Sequence, residues 1–238
     1  MNKPKMIAHR GYSQFEKENT LVAFSAAGSI NEFYGIETDV HVTKDGTYIT
    51  IHDENTNRVT NERVNINVEE NNYEIVSKVI LSDIDGTNNR NDLVIPLMYD
   101  YFKICKKYNK VAVCELKQVF TKQQIQEILD IVNSLDMLDN TVFISFILED
   151  LILLREISND IKAQWLLCKF EDHHLETLLK YNLDVDVHHL NISKQQIDMC
   201  HANNVKVNMW TVNDQELANK YASWGVDFIT SNWVKDTY

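Results

Sequence analysis

Nine short apolar runs, each of strand length, alternate along the 238 residues with seven stretches whose apolar residues recur at helical spacing. The runs fall at 5–8, 35–40, 47–52, 110–115, 141–145, 162–167, 183–187, 205–210 and 226–229. The helical stretches fall at 20–32, 97–108, 121–134, 148–158, 172–181, 193–203 and 213–223. Strand followed by helix, over and over, predicts βα units on a parallel sheet. With 44% hydrophobic residues the chain can bury one large core, and its length is that of a single (β/α)8 barrel, commonly about 250 residues. Nine runs for eight places leave a surplus. Asp45-Gly46 in Thr43-Lys44-Asp45-Gly46 is a turn signal between two extended runs, so the extra strand belongs there.

The chemistry-bearing residues stand where strands finish. His9-Arg10 follows Met6-Ile7-Ala8, Glu37-Thr38-Asp39 follows Tyr34-Gly35-Ile36, His52-Asp53 follows the run from Tyr48 to Ile51, and Glu115-Leu116-Lys117 follows the run from Val111 to Cys114. In a barrel that is the catalytic face. One residue separates Glu37 from Asp39, so on a strand both point to the same side. Taken alone, such a pair is more often solvated or ion-paired to a neighbour such as Arg10 or Lys117. Glu115, at another strand end, makes a third carboxylate, and an all-oxygen set suits a hard cation, Mg²⁺ or Ca²⁺. A tight hairpin at Asp45-Gly46, however, is expected to carry His52 towards the far end of the barrel, away from these acids. The chain path between Asp39 and His52 is open at this point.

These motifs resemble the glycerophosphodiester phosphodiesterase family of phospholipase C-like barrels. The resemblance rests on His9-Arg10-Gly11, Glu18-Asn19-Thr20 with Ala23-Phe24, Glu37-Thr38-Asp39-Val40, Thr43-Lys44-Asp45-Gly46 leading to His52-Asp53, and Glu115-Leu116-Lys117. It continues through Ser145-Phe146, Trp210-Thr211-Val212-Asn213 and Gly225-Val226-Asp227 to Thr230-Ser231-Asn232, in the family's order. Lys17 and Glu54 stand where the family usually has prolines, changes of loop stiffness and not of a reacting group. Residues 54–95 match the family poorly, and Pro96 precedes Leu97-Met98 instead of threonine-leucine.

The resemblance implies a TIM-type (β/α)8 barrel and a metal-dependent hydrolysis of glycerophosphodiesters to sn-glycerol 3-phosphate and an alcohol. It also turns Glu37, Asp39 and Glu115 from a solvated cluster into a metal site. A phosphodiester repels nucleophiles and has a poor leaving group, so charge must be neutralised and protons moved at both ends. His9 as base and His52 as acid are the expected pair, an order the sequence does not fix, with Asp53 orienting His52; the attacking oxygen is a glycerol hydroxyl or water. Arg10 and Lys117 offer cations to phosphate oxygens, and the family places Trp210 against the glycerol. Phosphoinositide, lysophospholipid and teichoic-acid-type substrates are same-class alternatives, and a non-catalytic phosphate-ester sensor is a different one. A phosphosugar isomerase or aldolase needs a Gly-rich phosphate loop, and no Gly-x-Gly occurs.

Residues 54–95, rich in Asn, Asp and Glu, read as a polar insertion near the mouth without a core of its own, within a single domain over 1–238. Cys105, Cys114, Cys168 and Cys200 show no Cys-x-x-Cys or zinc spacing and read as reduced, mostly buried residues. His41, His201 and the tandem pairs His173-His174 and His188-His189 read as surface or edge residues whose tandem side chains diverge. Trp224 and Trp233 read as packing residues. Thirty-five acids against twenty-three bases give a net charge of −12, which argues against nucleic acid and anionic membranes and requires a local positive site for any anionic substrate. No apolar run approaches the roughly 20 residues of a membrane span. The His9 motif follows Met1 to Lys5 at once, leaving no room for a cleavable leader, so the expectation is a cytoplasmic enzyme acting on a small molecule.

Overall fold

The computed structural model describes residues 3–233. Nine strands are present: β1 (Lys5–Ala8), β2 (Phe33–Val42), β3 (Tyr48–Thr50), β4 (Val111–Leu116), β5 (Thr141–Ser145), β6 (Lys162–Leu167), β7 (Asp184–His188), β8 (Val207–Trp210) and β9 (Phe228–Ser231). Eight of them pair in parallel in the order β1, β9, β8, β7, β6, β5, β4, β2, and β1 pairs with β2 to close the barrel. Seven helices follow strands: α1 (Leu21–Ser29), α3 (Met98–Lys107), α4 (Lys122–Ser134), α5 (Leu148–Ile157), α6 (His174–Lys180), α7 (Lys194–Ala202) and α8 (Gln215–Trp224); the short α2 (Tyr73–Val76) lies in the insertion.

Helix boundaries follow from capping. Thr121 and Ser193 close capping boxes with Gln124 and Gln196, so α4 and α7 begin where the sequence predicts. Ile125, Ile128, Leu129 and Val132 then face inward from α4. Thr20 caps α1, leaving the Asn19 side chain free for another use. Asp214, and not the preceding Asn213, caps α8. Asn213 instead accepts from the Ser231 hydroxyl and the Asn232 amide at the mouth.

Two apolar layers form the barrel. Phe24, Ile36, Phe102, Cys114, Ile128, Phe143, Leu151 and Val185 pack between strands and helices. Ile7, Val113, Ile144 and Leu166 fill the lumen, with Trp210 and Phe228 against them. Alternation along each strand produces both layers at once. On β4, for instance, Ala112 and Cys114 face outward to the helices while Val113 faces the lumen.

The ninth strand lies outside the barrel. Gly35 to Val40 of β2 pair with β4, while Val40 to Val42 run past the rim and pair antiparallel with β3. The turn closes through Gly46 N–H to the Thr43 carbonyl (2.9 Å), with Gly46 at φ +83°. Because β2 climbs above the rim before turning, the return sets Thr50 opposite Val40, and Ile51 N–H donates to the Asp39 carbonyl at 3.0 Å. His52 therefore stops at the mouth beside Asp39. The expected conflict between a tight hairpin and a shared site disappears, since the hairpin is built on an overhang.

The insertion departs from expectation in having a core. Ile49, Ile51, Val59, Val68, Val76, Val79, Leu81, Leu93 and Ile95 form a buried cluster separate from the barrel's. These residues come in short separate pieces, such as Val79 to Leu81 and Leu93 to Ile95, among Asn, Asp and Glu, so no long periodic run announces them. Thr50 N–H donates to the Pro96 carbonyl (3.0 Å), tying the end of the insertion to β3. Truncating a fully buried leucine removes transfer energy and leaves a cavity, so Leu93→Ala is expected to lower unfolding free energy by about 2–5 kcal/mol in denaturant titration. A loss under about 1 kcal/mol would show that this cluster does not unfold with the rest.

Candidate active site

The turn after β1 sets the first group. Arg10 (φ 56°) and Gly11 (φ 80°) both lie in the left-handed region. A Cβ on Gly11 would meet the Ala23 carbonyl carbon at 2.6 Å, so only glycine lets α1 approach so closely. The turn points His9 and Arg10 into the mouth. Arg10 N–H donates to Glu37 Oε2 at 2.8 Å, and its guanidinium lies between Glu18 (2.9 Å) and Asp39 (3.4 Å).

Glu37, Asp39 and Glu115 converge as predicted, each offering an oxygen within 4.8 Å of the others. All three are buried. Burial, then the charges of Asp39 and Glu115, push the Glu37 carboxyl far above the usual carboxylate range. Burial and Asp39 push Glu115 up to about 8. Asp39 stays well below its ordinary value although burial opposes it, because Arg10, Lys117 (3.6 Å) and the Asn19 amide (2.7 Å) face it. Lys117 also donates to Glu115 at 2.8 Å. A buried all-oxygen donor set with one orphan oxygen, Asp39 Oδ1, fits a hard divalent cation. With all three ionised, as cation binding requires, the carboxylates against Arg10 and Lys117 carry one net negative charge, and a divalent ion would bring the site to one positive, matched to a phosphodiester anion.

The two histidines are held differently. His9 Nδ1 lies 2.7 Å from Asn232 Oδ1; an amide oxygen only accepts, so Nδ1 carries the hydrogen and Nε2 keeps its lone pair. His52 Nδ1 instead lies 2.6 Å from the Asp53 carboxylate, which supports the protonated ring. Burial and the Arg10 charge push His9 down to about 4. Burial also lowers His52, with Asp39 opposing. Arg58, from the insertion, bonds both Asp53 (2.7 Å) and Glu18 (2.8 Å), and so links the support of His52 to the support of Arg10.

One cavity of about 350 Å³ collects these groups: His9, Arg10, Glu37, His52, Glu115 and Lys117 on one side, and Ile144, Phe146, Leu166, Asp186, Trp210 and Thr230 on the other. Trp210, expected at the site, stands edge-to-face with Phe146 (5.6 Å) and His188 (5.1 Å). Every predicted site residue thus reaches this mouth or its support. Sequence reasoning missed Asn19, Asn232, Arg58 and Asp186. Asn19 and Asn232 lay inside quoted motifs, and the alternation Asp184-Val185-Asp186-Val187-His188 already marked a polar inner face.

Two expectations are corrected. His41 is buried, with Nδ1 2.8 Å from Glu69 and Nε2 3.2 Å from the His52 carbonyl, because it lies on the β2 overhang against the returning segment and the insertion. The tandem histidines do not diverge: His188 and His189 stack at 5.1 Å and His173 and His174 lie at 4.2 Å, where the backbone leaves regular structure. The cysteines are mostly buried as expected: Cys105, Cys114 and Cys200 are buried, and Cys168 is exposed.

An eight-stranded parallel barrel with paired histidines, a carboxylate cluster and two cations at its C-terminal mouth defines a barrel hydrolase of phosphate esters. The chain belongs to the glycerophosphoryl diester phosphodiesterase family, whose sequence profile matches residues 9–235. It is 27% identical to a glycerophosphodiester phosphodiesterase of Caldanaerobacter subterraneus, covering 97% of this chain and 94% of the relative. A putative glycerophosphodiester phosphodiesterase of Bacillus subtilis, YhdW, is 26% identical, covering 96% and 94%. An Oleispira antarctica phosphodiesterase solved with the product sn-glycerol-3-phosphate shares the fold at a TM-score of 0.87 and 22% identity, over 97% of this chain and 93% of that one.

The crowded carboxylates have a measurable consequence. A carboxyl raised from 4.5 to about 8, as Glu115 is, costs nothing while protonated and destabilises once ionised. The metal-free protein is therefore expected to lose Tm as pH rises from about 5 to 8, and saturating Ca²⁺ or Mg²⁺ to abolish that decline. Glu115→Gln flattens the curve without metal. Thermal melts across this window check it; a metal-free Tm that holds or rises would show that the acids are not strained.

Proposed function

We propose that this protein is a cation-dependent phosphodiesterase that converts glycerophosphodiesters to sn-glycerol 3-phosphate and an alcohol at the barrel mouth. The observation that carries the reading is the pair of differently held histidines facing one cavity beside three convergent carboxylates. Glu37, Asp39 and Glu115 hold Mg²⁺ or Ca²⁺. When bound, that ion draws charge from the phosphate oxygens. Arg10 presents its fork, and Lys117 its ammonium, to the same oxygens.

His9, with Nε2 unprotonated, takes the proton of the attacking oxygen, either water or a glycerol hydroxyl whose cyclic phosphate product a water then opens to sn-glycerol 3-phosphate. His52, its ring charge supported by Asp53, returns a proton to the departing alkoxide from Nε2. The partners of Nδ1, an amide for the base and a carboxylate for the acid, support this order, which the sequence does not fix. Trp210 lies against the carbon skeleton of the substrate. Four unpaired cysteines support residence in a reducing compartment, the cytoplasm. No helix among the described residues is long and apolar enough to cross a membrane.

A lysophospholipid reading has one observation in its favour. The insertion is polar, but Val119 (72% exposed), Phe146 (41%) and Leu190 (67%) stand on the loops after β4, β5 and β7, and make part of the rim apolar. A panel of glycerophosphodiesters and lysophosphatidylcholine, assayed with divalent cation and with chelator, separates the readings. Release of glycerol 3-phosphate that stops on chelation is expected; release that survives exhaustive chelation and Glu37→Gln would remove the cation from the reaction.

Replacing His9 or His52 with alanine is expected to cost roughly 10²-fold or more in kcat, with the double variant losing far less than the product of the two. Either single variant within a few-fold of wild type would take that residue out of the reaction. Lys117→Met is expected to lower kcat/KM by roughly 10²- to 10³-fold, with metal affinity unchanged or raised. Near-normal turnover at saturating metal would leave Lys117 only a charge-balancing role beside Glu115.

A further inference from the structure

Four buried polar side chains line one half of the lumen: Gln164 on β6, Asp186 on β7, Asn208 on β8 and Thr230 on β9. Asn208 Nδ2 donates to Asp186 Oδ2 (3.1 Å) and to Gln164 Oε1 (3.3 Å), and the Thr230 hydroxyl donates to Asn208 Oδ1 (3.3 Å). Asp186 Oδ1 is buried without a partner. Among the described residues only three other buried side-chain atoms share that condition. Arg10 Nε and Asp39 Oδ1 belong to the cation and phosphate site, and Asp150 Oδ2 belongs to α5, away from the cavity lining. An orphaned buried oxygen is costly unless something fills it.

The place of Asp186 says what fills it. Counting round the barrel, β7 stands opposite β2, so Asp186 faces the carboxylate cluster across the mouth. It lines the cavity with Leu166 and Trp210, and the Trp210 indole N–H points to the Asp186 carbonyl at 3.4 Å. A diester whose phosphate sits at the cationic pole lays its carbon-bearing part against this wall. We infer that the free oxygen of Asp186 binds a hydroxyl of the substrate's polyol portion and so selects polyol phosphodiesters over diesters without hydroxyls. Burial raises this carboxyl well above the usual range, so it meets an anionic substrate without adding repulsion. The inference rests on the glycerophosphodiester reading above.

The test compares three diesters on the full chain with saturating divalent cation. Glycerophosphocholine carries hydroxyls on the glycerol half only, glycerophosphoglycerol on both halves, and bis(4-nitrophenyl) phosphate on neither. Asp186→Leu is expected to lower kcat/KM on hydroxyl-bearing diesters by roughly 10²- to 10⁴-fold, mainly through KM, and to leave the aryl diester within about threefold. Asp186→Asn, which keeps a donor and an acceptor, restores most of that loss. If both glycerol diesters fall, the bound hydroxyl is on the glycerol half; if only glycerophosphoglycerol falls, it is on the departing alcohol. An equal loss on all three diesters, or none on any, overturns the inference. Should melting show that the leucine variant does not fold, Asp186→Ala carries the same comparison. A wild-type protein that cleaves the aryl diester but neither glycerol diester overturns the functional reading itself, a separate result.

Discussion

Mutual repulsion among Glu37, Asp39 and Glu115 is the constraint around which the mouth is arranged. Three carboxylates that close in a buried place cannot all ionise without compensation. Arg10, Lys117 and Asn19 divide the task unevenly, holding Asp39 as the ionised member while Glu37 and Glu115 are pushed towards the protonated form. The same cations that quiet the acids are those that a phosphate would use. In the proposed function, charge compensation and substrate binding would be two states of one set of side chains, and a divalent ion would shift the set from the first state to the second.

That arrangement depends on β2 more than on any other strand. Glu37 and Asp39 lie on its inner face, its overhang carries the hairpin, and the hairpin returns His52 to the level of Asp39. A strand two residues shorter would turn at the rim and deliver His52 elsewhere. The insertion then follows from the hairpin, since its cluster packs Ile49 and Ile51 of the returning segment against Leu93 and Ile95. Its contribution to chemistry is Arg58, which reaches Asp53 and Glu18 together. The segment that matches its family least thus supports the residues that match it best.

The lumen is also graded. Ile7, Val113 and Ile144 make one half apolar, whereas Gln164, Asp186, Asn208 and Thr230 make the other half polar. In a barrel the lumen is packed side chain by side chain, so a polar half has to be hydrogen-bonded throughout or face something that completes it. The apolar half, the charged rim and the polar wall meet in one cavity. A substrate with a charged centre and hydroxylated ends matches that order of surfaces.

Local pattern was enough for the repeating strands and helices, because periods of two and 3.6 are written into consecutive residues. The convergent carboxylates and the two histidines of the mouth were legible for a related reason: costly ionisable groups sat at strand ends, and Glu37 and Asp39 had the spacing of one strand face. Capping by Thr121 and Ser193 was equally local. The convergence of β2 and β4, the return of His52 and the partners that make His9 and His52 unlike each other were decided only in three dimensions. His9 is separated in the chain from Asn232 by almost its whole length, and no spacing rule joins them. The same holds for the insertion's core, whose apolar residues occur in short separate pieces, and for Asp186, whose missing partner exists only once its neighbours have been placed. Sequence determined which groups were available and on which face of each element they lay; the closing of the barrel decided which met, because pairing across a closed sheet brings together residues far apart in the chain.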